Sequence, residues 1–244
     1  MTSPSPADPL EIYLLGVVPL DDILKLQRRL VYDLGETRGG ALILCEHPPS
    51  ISVGRSGSRA HIQADDEELR EIGLTMRWVN RGGGCVVHLP GQLSAYLVMP
   101  LQPRGLNLGR YVETLHAVLI DVLAEFDLHA RTWPDQPGVF LNYARVGSVG
   151  VAVNRWIASY GMTLNVGPFL GPFEILKEPG IARYSLRQTS MEAQRQRAAP
   201  MAKVRESLIR HIELRFHLER HHLYTDHPLV RAKARPHVYV PSAG

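Results

Sequence analysis

The sequence predicts a single α/β domain over residues 10–216, and three observations indicate it. A chain of 244 residues is long enough to bury a sizeable core. Hydrophobic residues make up 45% of it and charged residues 21%, as in ordinary globular proteins and unlike disordered chains. Apolar runs too short for helices alternate with longer segments whose apolar residues recur at helical spacing. We expect residues 1–9 to be disordered and residues 217–244 to form a C-terminal extension.

The first half of the domain alternates strand and helix patterns. Residues 10–15 and 41–45 are apolar runs of strand length, and residues 21–34 between them show helical periodicity. Cys45 lies in the second run, and its position in a buried strand favours the role of a small core residue over that of a nucleophile. Further on, the pattern predicts a short strand at 51–55, an acidic helix at 65–72 and a strand at 76–79.

The second half opens with a helix and continues into a hairpin. Residues 108–126 have an apolar face at helical spacing. Residues 145–153 and 156–166 are predicted to be paired strands joined by a turn at Asn154-Arg155. Residues 200–216 form an amphipathic helix. Prolines and glycines predict turns or loops at 133–139 and 170–180, and we interpret residues 217–237 as an irregular tail.

Composition argues against several classes of function. The formal charge of +3 has no dense basic block before the last third, so nucleic acid is not an expected partner. No apolar run approaches 18 residues, and residues 1–9 lack the layout of a secretory signal. Two cysteines form no disulfide framework or zinc spacing, and the tail histidines lack acidic or cysteine partners at ligand spacing. We expect a cytoplasmic protein without a membrane partner or bound metal.

The stretch most typical of a ligand site is residues 79–101. It carries Arg81, then three glycines at 82–84, then a strand-like run that ends at His88 before a turn at Pro90-Gly91-Gln92. Glycine allows a ligand to approach the main chain closely, and an arginine at the mouth suits a polar end group. A Gly-rich hairpin without any site is the alternative that this pattern leaves open.

Several motifs together resemble the lipoyl(octanoyl) transferases, also called lipoate–protein ligase B. The motifs are Glu46-His47-Pro48-Pro49 with Gly54-Arg55, Arg81-Gly82-Gly83 followed by His88 and Pro90-Gly91-Gln92-Leu93, Val146-Gly147-Ser148-Val149-Gly150, Tyr160-Gly161-Met162-Thr163-Leu164-Asn165-Val166, Phe173 and Gly180. The resemblance covers residues 42–186. It implies a biotin/lipoate protein ligase-like α/β fold, in which a mixed sheet is flanked by helices.

The resemblance also implies a reaction and its partners. An octanoyl group would pass from acyl carrier protein to a lysine of a lipoyl domain, either of 2-oxoacid dehydrogenases or of the glycine cleavage H protein. No cofactor is implied. One wall of the implied acyl site comprises Arg81, Gly82, Gly83, Gly84, Cys85, Val86, Val87 and His88. The opposite wall comprises Ser148, Val149, Gly150, Gly161, Met162 and Thr163.

The chain departs from the family at the positions that carry the chemistry. The nucleophilic cysteine of the family aligns with Pro179, which has no nucleophilic group. The family's lysine aligns with Arg145, which keeps the charge but does not readily release a proton. A histidine expected before Gly161 is Tyr160, and Gly167-Pro168-Phe169 stands where the family has Thr-Asp after Val166.

These departures leave three function classes open. Cys85 is a candidate relocated nucleophile with Arg145 as its catalytic cation, although a packed wall residue is the alternative for Cys85. Cys85 and His88 are three residues apart on one predicted strand and so face opposite sides, which makes His88 a poor base for the thiol. The full triplet at 82–84 is also found in ATP-dependent lipoate or biotin ligases. A catalytically inactive acyl-binding or lipoyl-domain-binding homologue is the third possibility.

Overall fold

The computed structural model describes residues 9–35, 39–134, 136–177 and 187–230. Within these ranges the chain forms eleven strands and five α-helices. The strands are β1 (Leu10–Val17), β2 (Gly40–Glu46), β3 (Ser50–Val53), β4 (Thr75–Trp78), β5 (Cys85–His88), β6 (Gln92–Pro100), β7 (Arg131–Trp133), β8 (Gln136–Leu141), β9 (Ala144–Asn154), β10 (Ile157–Asn165) and β11 (His221–Tyr224). The helices are α1 (Leu20–Asp33), α2 (Asp66–Glu71), α3 (Leu108–Glu125), α4 (Met191–Arg195) and α5 (Met201–Phe216).

Two sheets organise these elements. The large sheet has the order β11-β1-β2-β6-β10-β9-β8-β7, and a small sheet has the order β4-β3-β5. In the large sheet β1 runs parallel to β11 and β2, and the remaining neighbours are antiparallel. The small sheet is also mixed, since β3 is parallel to β4 and antiparallel to β5. The predicted α/β fold with a mixed sheet and flanking helices is confirmed.

Helices cover both faces of the large sheet. All nine residues of the central strand β6 are buried, which requires cover on both sides. Alternate residues such as Leu93, Ala95 and Leu97 face a core that includes the apolar sides of α3 and α5. Tyr96 and Val98 face the opposite core, which includes the apolar side of α1. A third core lies beneath the small sheet.

The β9–β10 hairpin is present, but its turn is shifted by one residue from the expected position. Arg155 and Trp156 have φ angles of 47° and 64°, so both adopt the left-handed conformation that a two-residue hairpin turn requires. Asn154 is the last residue of β9 and pairs with Ile157. The expected turn at Asn154-Arg155 is therefore corrected to Arg155-Trp156.

Two segments expected to be irregular contain strands. Residues 221–224, interpreted as part of a tail, form β11 at the edge of the large sheet in parallel register with Leu10–Tyr13. The ring of Tyr224 stacks on Tyr13, with centroids 5.1 Å apart. The region 133–139 contributes to the β7 and β8 strands. The partner of β11 is distant in sequence, so hydrophobic periodicity does not reveal the pairing. The prolines and the glycine of 133–139 masked the pairing of β7 with β8. The expectations for residues 1–8 and 231–244 fall outside the described residues.

Neither a spanning helix nor a metal cluster occurs in the described ranges. No helix among them is sufficiently long and apolar to cross a membrane. The same residues contain no group of three or more His, Cys, Asp or Glu side chains arranged to hold a metal ion.

Candidate functional site

A cavity lies between the two sheets. The strands β3 and β5 of the small sheet form one wall, and β6, β9 and β10 of the large sheet form the other. The first residue of α1 also lines it. The lining residues are Leu20, Ser52, Val79, Arg81, Val86, His88, Tyr96, Ser148, Val149, Gly150, Tyr160, Gly161, Met162 and Thr163. We refer to this space as the main cavity.

The main cavity is narrow. Its cavity volume, counted as the space that the centre of a water molecule can occupy, is about 40 Å³. A space of this kind fits a thin, unbranched chain better than a bulky ring system. Apolar side chains and glycine backbone provide much of the wall, as expected for a site that binds a hydrocarbon.

Arg81 joins the glycine loop at 82–84 to the small sheet. Its guanidinium donates to the Ser52 carbonyl at 2.9 Å and to the Ser52 hydroxyl at 2.7 Å. It also donates to the carbonyls of Gly82 and Gly84, each at 3.0 Å. The Gly82 N–H in turn donates to the carbonyl of Val151 in β9 at 2.9 Å. Arg81 thus fixes the loop that bridges the two sheets, and it is only 8% exposed.

His88 is held as a neutral imidazole in the cavity wall. The amide nitrogen of Gln92 donates to the Val87 carbonyl and to Asn165, which leaves its oxygen to accept from His88 Nδ1 at 3.1 Å. His88 Nε2 then accepts from the hydroxyl of Ser52 at 2.8 Å. Burial lowers the pKa of His88 well below its usual value, and the neighbouring His47 and Arg81 lower it further. His88 therefore contributes a neutral, fully bonded ring.

A second buried histidine supports the wall from behind. His47 Nδ1 donates to the carbonyl of Val18 at 2.6 Å, so its Nε2 accepts from the hydroxyl of Tyr96 at 2.7 Å. Burial lowers the pKa of His47 to about 4. The ring lies edge-on to His88, with centroids 5.2 Å apart. Tyr96, which lines the main cavity, is thereby fixed in position.

A smaller, more polar cavity adjoins the main one. Val86, Ser148 and Thr163 line both spaces and so mark their junction. The remaining lining residues of the small cavity are Cys85, Val87, Gln92, Arg145, Gly147, Asn165, Phe173, Leu176 and Gln188. We call this the side cavity. It unites the two residues, Cys85 and Arg145, that the sequence analysis singled out for chemistry.

Arg145 is anchored from both sides of its backbone. Its N–H donates to the Arg187 carbonyl and its own carbonyl accepts from Thr189, each at 2.8 Å. Its guanidinium lies 5.8 Å from the centre of the Phe140 ring, and the residue is 5% exposed. Leu176 is bridged to Ile62. The chain segments before and after residues 178–186 are therefore fixed at the side cavity, while Pro179 and Gly180 lie outside the described residues.

The expected site residues fall into three positions. The set on the main cavity is Arg81, Val86, His88, Ser148, Val149, Gly150, Gly161, Met162 and Thr163. Cys85 and Val87 point instead into the core beneath the small sheet, as alternation along β5 requires, and they reach the side cavity. Gly82, Gly83 and Gly84 lie in the bridging loop and do not line either space. Contact of any of these residues with a ligand stays a prediction.

The interpretation of the glycines as a direct seat for a polar end group stays a prediction. Gly83 is exposed and has a φ of +85°, a conformation that favours glycine. Its carbonyl accepts from Ser56 N–H, and the Gly84 carbonyl accepts from Gly54 N–H. The triplet thus serves loop geometry, because the chain has to turn sharply between β4 and β5 while it stays close to β9.

Sequence reasoning missed five residues of the main cavity wall as binding residues: Leu20, Ser52, Val79, Tyr96 and Tyr160. Tyr160 was noted only as a departure from the family. Ser52 precedes the Gly54-Arg55 motif by two residues, which is a weak signal. Val79 and Tyr96 lie within the stretch 79–101 that was singled out as a site, but nothing distinguished them inside it. Leu20 gave no signal, because its approach to the cavity depends on how α1 packs in three dimensions.

Comparison with known proteins agrees with this fold. The family described as Lipoyl protein ligase A/B catalytic domain matches residues 20–213. A curated octanoyltransferase from Geobacter metallireducens is 35% identical over 195 residues, covering 80% of this chain and 87% of the relative. One from Rubrobacter xylanophilus is 36% identical over 200 residues, with 80% and 87% covered.

A solved structure extends the likeness to three dimensions. The bi-partite lipoate protein ligase of Thermoplasma acidophilum, from an archaeal lipoylation system, superposes with a TM-score of 0.70 at 17% identity, covering 89% of this chain and 88% of that one. At this identity the likeness concerns the fold alone. The family match over most of the chain, and relatives at about one-third identity, carry the conclusion that this chain belongs to the lipoyl protein ligase A/B catalytic domain family.

Proposed function

We propose that this chain is an acyltransferase of protein lipoylation that transfers an octanoyl group. The donor is octanoyl-acyl carrier protein, and the acceptor is a lysine of a lipoyl domain in a 2-oxoacid dehydrogenase or in the glycine cleavage H protein. The single observation that carries the proposal is the main cavity, which shares Val86, Ser148 and Thr163 with the side cavity that Arg145 lines. We propose the cytoplasm as the compartment, because a sequence with only two cysteines carries no disulfide framework of the kind that secreted proteins use.

The two cavities suit the two parts of an acyl thioester. The hydrocarbon tail lies in the main cavity, where apolar walls exclude water. The carbonyl then lies at the junction, next to the hydroxyl-bearing residues Ser148 and Thr163. Arg145 faces the carbonyl oxygen from the side cavity and stabilises the negative charge that develops there during acyl transfer. No cofactor takes part in this assignment.

The overall transfer balances without an additional reactant. The lysine amine forms an amide bond with the octanoyl carbonyl, and the bond from that carbonyl to the carrier sulfur breaks. The amine loses one proton and the carrier thiolate gains one. In a two-step route Cys85 first attacks as thiolate and holds the octanoyl group as a thioester, which the lysine amine then cleaves.

Cys85 is our proposed nucleophile for the two-step route. It lines the side cavity together with Arg145. Its thiol donates to the Ser58 carbonyl at 3.7 Å, and the residue is only 2% exposed. Attack through Cys85 therefore requires the thiol to rotate away from Ser58 towards the junction.

The test is transfer to an apo lipoyl domain, followed by intact mass of both proteins. With octanoyl-acyl carrier protein alone, we expect the lipoyl domain to gain one octanoyl group without ATP. The enzyme should carry a hydroxylamine-labile octanoyl group that disappears in Cys85→Ala. Cys45→Ala is the matched control, because Cys45 is fully buried in β2 and lines neither cavity.

Three other outcomes change the proposal in separate ways. Transfer that survives Cys85→Ala without an enzyme adduct means direct attack by the lysine and removes Cys85 from the mechanism. Transfer from free octanoate that depends on ATP and magnesium assigns the chain to the ligase activity. Binding of octanoate without transfer under either condition makes the protein an acyl-binding homologue and overturns the proposed activity.

A further inference from the structure

Tyr160 has a backbone conformation that residues with a Cβ rarely adopt. Its φ is +62°, in the left-handed region, although it lies in the middle of β10. This conformation costs free energy, and a protein maintains it only where the surroundings hold it from several directions. A strained residue at this position, in the wall of the main cavity, calls for a functional explanation.

The strain moves the Tyr160 side chain to the other face of the sheet. Ala158, Met162 and Leu164 belong to the core that α3 and α5 cover, and regular alternation would add Tyr160 to that set. The Tyr160 ring packs instead with the core on the α1 face. Leu20 and Tyr96, which line the main cavity, belong to the same α1-side core. The unusual φ therefore directs an aromatic ring to the cavity.

Two hydrogen bonds, one to the backbone and one to the hydroxyl, hold Tyr160 in this orientation. The Tyr160 N–H donates to Gln27 Oε1 in α1 at 2.7 Å, and Gln27 is buried. The Tyr160 hydroxyl accepts from the backbone N–H of Asn80 at 3.1 Å, just before the loop that Arg81 fixes. Next to it, a Cβ at Gly161 would lie 2.2 Å from the Ala95 carbonyl, so the backbone approaches β6 more closely than any side chain allows.

Tyr160 and Thr163 are the first and the last residues of β10 that line the main cavity. The junction with the side cavity lies at Thr163, which pairs with Ser148, whereas Tyr160 pairs with Val151. Three strand steps of about 3.3 Å separate these two pairs, so the space between them is about 10 Å long. An extended eight-carbon chain, with C–C bonds of roughly 1.5 Å in a zigzag, spans roughly 9 Å.

We propose that Tyr160 is the specificity-determining residue for acyl chain length. Its ring, clamped between α1 and Asn80, forms the end wall of the main cavity and stops a chain whose carbonyl lies at the Ser148–Thr163 junction. Octanoyl fills the space, and longer chains meet the ring. This inference rests on the proposed acyl-transfer function, because it assumes that the carbonyl lies at the junction.

The experiment compares a chain-length series in wild type and Tyr160→Gly. Glycine adopts positive φ without strain, so this change opens the wall and relieves the backbone. Donors are hexanoyl-, octanoyl-, decanoyl- and dodecanoyl-acyl carrier protein, and binding of the matching free fatty acids is measured in parallel by calorimetry. We expect the dodecanoyl-to-octanoyl ratio to rise roughly tenfold or more in Tyr160→Gly. Trp156→Gly is the matched control, since Trp156 is also aromatic with positive φ but is exposed outside the cavity.

The outcomes separate this inference from the proposed function. Transfer by wild type with an unchanged length profile in Tyr160→Gly overturns the role of Tyr160 and leaves acyl transfer intact. If wild type binds fatty acids but transfers none, the transfer proposal fails, and the binding series still decides the role of Tyr160. Absence of both transfer and binding overturns both. Should Tyr160→Gly not fold, Tyr160→Asn, which also tolerates positive φ, is measured in the same way.

Discussion

His47 and His88 remain uncharged in the folded protein because burial removes the water that would stabilise their protonated forms. Burial lowers the pKa of His47 to about 4 and that of His88 well below its usual range. Each ring has one nitrogen that donates and one that accepts, so the neutral form satisfies every partner. If either ring gained a proton, its Nε2 would become a donor. It would then face a hydroxyl group that donates its own hydrogen to that nitrogen in the neutral form.

This pair makes stability sensitive to mild acid. A histidine whose pKa is lower in the folded protein binds its proton first in the unfolded chain, so the free energy of unfolding decreases as pH falls below about 6.5. The decrease is at most about 1.4 kcal/mol per pH unit for each such residue. We expect urea unfolding between pH 7.5 and 5 to show this slope, and His47→Gln to reduce it.

The pH dependence of unfolding in His47→Gln has to be compared with that of a matched variant. His129→Gln, at an exposed histidine, controls for the loss of a histidine as such. Burial also lowers the pKa values of His88, His116 and His227, which remain in His47→Gln, so its slope is reduced and not abolished. An identical slope in wild type and His47→Gln would contradict a neutral His47 in the fold.

At the scale of residues, the alternation of side chains along a strand predicted which face each side chain points to. Which residues line the main cavity was determined by packing in three dimensions. Alternation along β5 correctly separated Cys85 from His88, because side chains of a regular strand follow a period of two. Tyr160 breaks that period through its positive φ, which no sequence pattern reveals. Tyr96 reaches the cavity only because β6 lies beside β10 in the sheet.

At the scale of elements, β11 shows how a polar segment is recruited to a sheet. Its sequence His221-His222-Leu223-Tyr224 has little apolar character, and all four residues are exposed. The strand pairs in parallel with β1, roughly two hundred residues earlier in the chain. Tyr224 stacks on Tyr13 at an interplanar angle of 19°, and the His227 ring packs edge-on against Tyr13 at 5.3 Å. These rings attach the edge strand.

Loss of the stacked ring should weaken this edge. We expect Tyr224→Ala to lower the free energy of unfolding by about 1 kcal/mol, because an aromatic pair contributes that much beyond its buried area. Urea denaturation followed by circular dichroism measures the change. Tyr32→Ala is the control, since Tyr32 is 81% exposed on α1. Equal small effects of both substitutions would mean that β11 is not attached through Tyr224.

Elements with strong local signals were predicted, whereas β11, whose own residues are polar and whose partner is distant, was not. The periods of α1, α3 and α5 and the β9–β10 hairpin depend on neighbours in sequence, so the pattern predicted them to within a few residues. The partner of β11 is fixed by the fold and not by its own residues. The same holds for the bridge between Arg145 and Gln188, which brings a later segment to the side cavity.

At the scale of the whole molecule, the main cavity lies where the small sheet packs against the large one and leaves a gap between them. The bridging loop is tied to β3 through Arg81 and to β9 through the Gly82–Val151 hydrogen bond. The resemblance at residues 81–93 predicted that this block belongs to a site. It could not show that two adjacent cavities lie there, because their division depends on where β5 lies relative to β9 and β10.

A ligand that bridges the two sheets should stabilise the entire fold. Octanoate at a concentration one hundred times its dissociation constant adds about 2.7 kcal/mol to the free energy of unfolding if it binds only the folded chain. We therefore expect a concentration-dependent rise in the thermal midpoint of wild type. Val86→Phe should remove that rise, because the larger ring fills the junction between the cavities. Val153→Phe, on the exposed part of β9, should retain it. A rise preserved in Val86→Phe would mean that octanoate binds outside the space between the sheets.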